Sequence, residues 1–99
     1  MSKATCAVCV TFRIKPEFFE QFLAAVQTQA QNSKELEPWC HQFDVGTMPD
    51  QPHSVLLYET YDDRLAFVEK HRTTNHFTKF AHTIADWVES KEVGVWDIQ

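Results

Sequence analysis

Glycine is scarce in this chain, which has only Gly46 and Gly94 among its 99 residues. Loops that cradle the phosphates of nucleotides and flavins need several closely spaced glycines, because the backbone must approach the phosphate group. The chain has no such loop, so the sequence gives no support for a nucleotide or flavin cofactor.

Basic residues are also few, with nine Lys and Arg against 14 Asp and Glu and a net charge of −5. Nucleic acids and anionic membranes bind surfaces rich in Lys and Arg, so neither is expected as a partner. The chain contains no apolar run of the length that crosses a membrane. Its start, MSKATCAVCV, lacks the architecture of a signal peptide, and we therefore expect a cytoplasmic protein.

The three cysteines and the scattered histidines do not form metal-ligand patterns. Cys6 and Cys9 lie three residues apart in a strand-like run, so their side chains point to opposite faces and cannot bridge or share a metal. His41, His53 and His82 have no ligand spacing with carboxylates or cysteines. We therefore predict no disulfide, no metal site and no cofactor.

Hydrophobic periodicity predicts one α+β domain that spans residues 1–99. The expected elements are a strand at 4–14, a helix from Pro16 to about Asn32, strands at 39–47 and 55–61, a short helix at 64–71, a helix after Thr73 or Thr74 whose apolar stripe reaches Val88, and a strand at 92–98. The order β-α-β-β-α-β is the ferredoxin-like arrangement, with an antiparallel sheet.

Both faces of the predicted sheet are apolar. In the third strand Leu57 lies on one face and Leu56 and Tyr58 on the other, and the first strand adds Val8 and Cys9 in the same alternation. The helices of one chain can cover only one face. A second subunit would cover the other, so we predict a homodimer whose two sheets pack face to face.

The segment HRTTNHF (71–77) carries two histidines around a threonine pair. On one continuous helix, five residues turn the chain by about 500°, so His71 and His76 would not face the same way. The threonines indicate a break, with His71 ending one helix and His76 beginning the next. The pair could then supply an acid and a base, or each could be an ordinary helix-end residue.

Glu59 lies inside the third strand between apolar neighbours, where an ionised carboxylate needs a partner. It could form a structural contact with Arg64, Arg72 or a helix-end histidine. It could equally orient His71 or His76 as a base, and the two interpretations are compatible.

Strand alternation also predicts an aromatic cleft between the sheet and the last helix. Side chains at this spacing are commonly core residues, but a flat aromatic ligand would need such walls. The candidate substrate-binding residues are Trp39, His41 and Phe43 on the second strand, Leu57 and Tyr61 on the third, and Phe80 and Trp87 on the last helix.

The segments EPWCHQFDV (37–45) and VLLYETYDDRLAFVEKHRTTNHFTKF (55–80) resemble the antibiotic biosynthesis monooxygenase family of small dimeric α+β barrels. The resemblance covers about residues 8–88, with Trp39 at a position where the family usually has glycine. It implies a ferredoxin-like dimer, and it places the HRTTNHF segment over the mouth of a pocket.

Three functions remain open at this point. The first is a cofactor-independent monooxygenase of a small aromatic quinol or polyphenol, with His76 as the base, Glu59 as its orienting partner and His71 as a donor to the developing oxyanion. The second is an isomerase of a small phosphorylated ketose that uses the same acid and base, with His71 and Arg72 near the phosphate. The third is a non-catalytic dimer that binds a small ligand.

Overall fold

The computed structural model describes residues 3–99, so the first two residues of the start segment lie outside it. Four antiparallel strands form one sheet in the order β2-β3-β1-β4, with two principal helices on one face. The elements are β1 (Cys6–Ile14), α1 (Phe19–Leu36), β2 (Cys40–Thr47), β3 (Ser54–Tyr61), α2 (Asn75–Ile84) and β4 (Val88–Asp97). This order and pairing confirm the predicted ferredoxin-like fold.

The largest differences from the predicted boundaries are at the end of α1 and between α2 and β4. Helix α1 continues past Asn32 to Leu36, because no residue in this stretch disfavours a helix. Pro38 then restricts the backbone of Glu37, so the helix ends before that residue. The last helix ends at Ile84, and a 3₁₀ turn, Ala85–Trp87, leads directly into β4. Val88 therefore opens a strand instead of extending the apolar stripe of α2.

The core lies between the sheet and α1. Alternate residues of β1 face the helices, and Val8 and Ile14 are fully buried there. Phe22 and Val26 of α1 pack onto them from above, and the ring centroids of Phe12 and Phe22 are 5.0 Å apart. Helix α2 packs against α1 and leaves a space between itself and the sheet.

A β-bulge interrupts β2 at His41. Cys40 is opposite Tyr61 and Gln42 is opposite Thr60, so one extra residue stands between two consecutive pairs. A bulge of this kind changes the alternation of a strand. As a result Cys40 and Phe43 are both buried in the core, while the side chain of His41 turns outward to Asp62.

Between β3 and α2 the chain forms two short helical turns. The first is a wide π-helical turn at Ala66–Lys70, and the second is a tight 3₁₀ turn at His71–Thr73. Thr74 then caps α2, because its Oγ1 accepts a hydrogen bond of 3.2 Å from the backbone N–H of Phe77. The predicted break between the two histidines is confirmed, with His71 before it and His76 in the first turn of α2.

The face of the sheet opposite the helices is open, and small and apolar residues form its centre, with Asp44 beside Tyr58. Cys9 pairs with Tyr58 on one side and with Gly94 on the other, and these positions form the centre of that face. Leu56 and Trp96 are 44% and 63% exposed there. Within residues 3–99, no helix is both long and apolar enough to cross a membrane.

Candidate active site

The centre of the site is the carboxylate of Glu37, the residue that ends α1. Its side chain is 1% exposed. Oε1 accepts hydrogen bonds from Nε1 of Trp39 and from Nδ1 of His71, both at 2.9 Å. Oε2 lies 3.0 Å from the same His71 nitrogen and 2.7 Å from Nε2 of His76. One buried carboxylate therefore joins the two histidines that the sequence singled out.

Two opposing effects set the ionisation of Glu37. Burial alone would raise its pKa, because a charged carboxylate loses its hydration inside the protein. The hydrogen bond and positive charge of His71, the indole of Trp39 and the charge of His76 oppose this effect and hold the pKa below its ordinary value. Glu37 is therefore ionised near neutral pH.

This ionised carboxylate determines how His71 presents its ring. A carboxylate can only accept, so the proton of a neutral His71 must lie on Nδ1, and Nε2 carries the free lone pair. Nε2 points toward Glu59, whose Oε1 is 3.9 Å away. The ring is held by packing against Phe67, with centroids 5.8 Å apart, and against Phe77 at 5.1 Å.

Glu59 differs from Glu37 although both are buried. Its Oε1 accepts a hydrogen bond of 2.6 Å from the hydroxyl of Tyr61. Burial is the strongest influence and raises the pKa of Glu59, despite the opposing effects of Tyr61 and His71. Burial and the adjacent Glu59 also raise the pKa of the Tyr61 hydroxyl, which stays protonated. Of the two buried carboxyl groups, Glu59 is therefore the one that is easier to protonate.

A cavity of about 270 Å³ opens between α2 and the sheet. Most of its lining is apolar, and its polar side chains are Glu59 and His71 together with Gln29, Arg72 and Lys91. Its apolar walls are Val10, Phe12, Phe43, Leu57, Phe67, Val68, Phe77, Phe80, Ala81, Ile84, Val93 and Val95. A mostly apolar cavity with a few convergent polar groups is typical of a small-molecule site.

The structure brings part of the predicted site together here. Phe43, Leu57 and Phe80 line the cavity, as do Glu59 and His71. Tyr61 is not part of the lining but lies behind it, where its hydroxyl donates to Glu59 and its ring packs against His71 and Phe67.

Four other predicted residues lie elsewhere. His41 is turned away by the bulge in β2, and Trp39 contacts Glu37 instead of the cavity. Trp87 follows the end of α2 and stacks on Phe18 with centroids 5.9 Å apart. His76 contacts Glu37 and Gln29 and does not reach Glu59, because the first turn of α2 directs its ring toward α1.

Glu37 and Lys91 are site residues that were not predicted from the sequence. A signal for Glu37 was present, since it continues the buried stripe of α1 that contains Val26, Ala30 and Ser33. An acidic residue at a core position of a helix requires buried partners. Within the described residues, no group of three or more His, Cys, Asp or Glu side chains is arranged to hold a metal ion.

Comparisons with known proteins agree with the fold. The sequence profile of the antibiotic biosynthesis monooxygenase family matches residues 5–83. No curated protein matches the chain. A Nitrosomonas europaea protein described as a candidate antibiotic biosynthesis monooxygenase is 27% identical, with a TM-score of 0.85 over 92% of this chain and 95% of its own.

Two further solved structures share the fold at lower identity. One, from Bacteroides thetaiotaomicron and described in the same terms, is 24% identical, with a TM-score of 0.86 over 100% of this chain and 91% of its own. A conserved protein from Methanosarcina mazei is 16% identical, with a TM-score of 0.88 over 99% and 96% of the two chains.

The pKa values of Glu37 and Glu59 are shifted in opposite directions, so we expect pH to affect their contributions to folding stability in opposite ways. Since the folded protein lowers the pKa of Glu37, its contribution is present at neutral pH and is lost as the pH falls through the folded value. Glu37→Gln should therefore lower the free energy of unfolding at pH 7 by about 1–3 kcal/mol, with a smaller loss below about pH 4.

Since the folded protein raises the pKa of Glu59, the wild type loses stability as the pH rises from the unfolded toward the folded value. Glu59→Gln should remove this loss, so its stability relative to the wild type should increase with pH. Urea unfolding of Glu37→Gln, Glu59→Gln and the wild type between about pH 4 and pH 7 checks the prediction. The same pH dependence in the two variants would contradict it.

Proposed function

The chain belongs to the antibiotic biosynthesis monooxygenase family, and we propose that it is a cofactor-independent monooxygenase of a small aromatic quinol or polyphenol. The observation that carries the proposal is the orientation of His71. An ionised, buried Glu37 holds the ring so that Nε2 is free to accept a proton beside an apolar cavity. This is how a carboxylate–imidazole pair prepares a general base.

The first step is proton removal. A phenolic hydroxyl that enters the cavity gives its proton to Nε2 of His71, and the resulting imidazolium is stabilised by the charge of Glu37. Arg72 and Lys91 also line the cavity and would attract the phenolate that forms. The base is therefore His71, in place of the His76 that the sequence suggested, because His76 does not line this cavity.

The electron-rich anion then reduces O₂ directly. One oxygen atom enters the ring in place of a hydrogen and becomes a quinone carbonyl. The other leaves as water, whose two hydrogens are the displaced ring hydrogen and the phenolic proton, so the substrate supplies all the electrons and both protons. Glu59 lines the same cavity, and its raised pKa suits it to pass one of these protons to the departing oxygen.

The size and lining of the cavity support a small aromatic substrate. Its volume of about 270 Å³ is just below the range of about 300–1,000 Å³ that is typical of ligand pockets, so it suits a small ligand. Phe43, Phe77 and Phe80 offer flat surfaces for ring contacts. No comparison favours the isomerase of phosphorylated ketoses.

We also propose that the protein is a homodimer that buries the open face of its sheet. The support is the apolar centre of that face around Cys9 and Tyr58, with Leu56 and Trp96 exposed beside it. A side chain at Gly94 would collide with the indole of Trp96, whose Nε1 would lie 2.9 Å from the added Cβ. Glycine thus lets this indole lie flat on the face, as a face-to-face contact requires.

Replacing the base tests the function. We expect His71→Gln to lower the turnover of quinols by a factor of about 10²–10⁴, the usual cost of losing a general base. The measurement is oxygen uptake with a panel of quinols under strict metal chelation. His53→Gln is the control, because His53 lies in the loop between β2 and β3, away from the cavity.

Two results would contradict this function. One is an absence of oxygen uptake above autoxidation for every quinol, with or without turnover of a phosphorylated ketose. The other is full activity of His71→Gln, which would leave the proposed base without a role.

A charge on the open sheet face tests the dimer. Tyr58→Glu should dissociate the dimer, because two carboxylates would meet near the two-fold axis without solvent. Light scattering at micromolar concentration measures the mass. Gln27→Glu, on the exposed side of α1, is the control and should remain dimeric. A monomeric wild-type protein would refute the proposal directly.

A further inference from the structure

A second space lies on the far side of the buried cluster. It is a groove of about 230 Å³ between α1 and α2, lined by Ala25, Thr28, Gln29, Asn32, His76, Lys79, Phe80 and Thr83. Gln29 and Phe80 line both this groove and the main cavity, so only a thin wall separates the two. The groove has no part in the proposed substrate binding.

A continuous row of titratable groups crosses that wall. Nδ1 of His71 lies 2.9 Å from Oε1 of Glu37, and Oε2 of Glu37 lies 2.7 Å from Nε2 of His76. The side chains of His71 and Glu37 are almost fully buried, at 3% and 1% exposed, whereas that of His76 is 12% exposed. One end therefore borders the cavity and the other borders the groove.

His76, at the outer end of the row, has incomplete hydrogen bonding. Nδ1 of His76 is 3.1 Å from Oε1 of Gln29. Nε2 of His76 is close to Glu37 but not aligned for a hydrogen bond, and Nε2 of Gln29 also has no hydrogen-bond partner among residues 3–99. Buried polar atoms normally have such partners. In contrast to His71, which is packed among aromatic rings, His76 is thus free to change partners.

We propose that His76 and Glu37 form a proton relay that connects His71 with solvent in the groove. The proposal rests on the proposed function of His71 as the base. When Nε2 of His71 takes the phenolic proton, its Nδ1 proton passes to Glu37, Glu37 protonates Nε2 of His76, and His76 releases its Nδ1 proton to the groove. The same path returns one proton when the second oxygen atom leaves as water, so the reaction has no net proton change.

The relay has a consequence for the substrate anion. A base that kept the proton beside the phenolate would return it readily, whereas transfer to the groove separates the proton from the anion while O₂ reacts. His76 therefore acts through Glu37 and His71 and does not touch the substrate.

Proton exchange in the free protein tests the relay without any substrate. The Nδ1 proton of His71 is buried, and its exchange with solvent can be followed by NMR of the imidazole ring. We expect His76→Gln to slow this exchange by an order of magnitude or more. His82→Gln, on the same helix but outside the groove, should leave it unchanged. Unchanged exchange in a folded His76→Gln variant would overturn the relay.

A second variant keeps His76 and blocks the groove. Thr83→Phe adds a ring at the edge of the groove, at an exposed position of α2, and should also slow the exchange. If His71 exchanges at the wild-type rate in this variant, protons reach it by another route and the proposal fails.

Chemical rescue links the relay to the reaction. Quinol anion formation can be followed by absorbance without oxygen, and we expect it to be slow in His76→Gln and to be restored by imidazole buffer. Imidazole should not restore it in Thr83→Phe, where the groove is blocked. Slow formation without rescue in His76→Gln would overturn the relay. Failure of the wild type to form any anion would instead refute the proposed function, even if the exchange result stood.

Discussion

The buried charge of Glu37 is the constraint on which the rest of the site depends. A buried, ionised carboxylate is stable only when polar partners surround it, and here Trp39 and His71 donate hydrogen bonds while the ring of His76 lies within ion-pair distance. These partners belong to the segment just before β2, the turn before α2, and α2 itself. The carboxylate therefore connects the end of α1 with α2 and the turn before it. It also orients the ring of His71 toward the cavity.

The two glutamates show how one fold separates acid from base. Glu37 has two hydrogen-bond donors and a nearby imidazole, which lower its pKa, whereas Glu59 has one neutral donor, Tyr61, and burial raises its pKa. His71 lies between them with one nitrogen toward each. Groups of the same chemical type thus acquire different roles through their surroundings, which is the pattern expected where proton transfer occurs.

The sequence predicted the fold well because apolar periodicity and the order of elements depend on local pattern. The helix break between His71 and His76 was equally local, since a threonine cap marks it. The bulge at His41 was not predictable in this way, because an extra residue is defined only relative to the partner strand. Glu37 was missed for a related reason: its partners are more than 30 residues away in the chain, apart from Trp39.

The π-helical turn at Ala66–Lys70 has a consequence for insertions and deletions. Such a turn holds one residue more than an α-helical turn, and it is frequently found at functional sites. Losing that residue would restore a regular helix and rotate His71 by about 100°, away from Glu37. Evolution can therefore vary the amino acids in this turn much more freely than their number, whereas the hairpin loop between β2 and β3 can change in length without disturbing the buried charge.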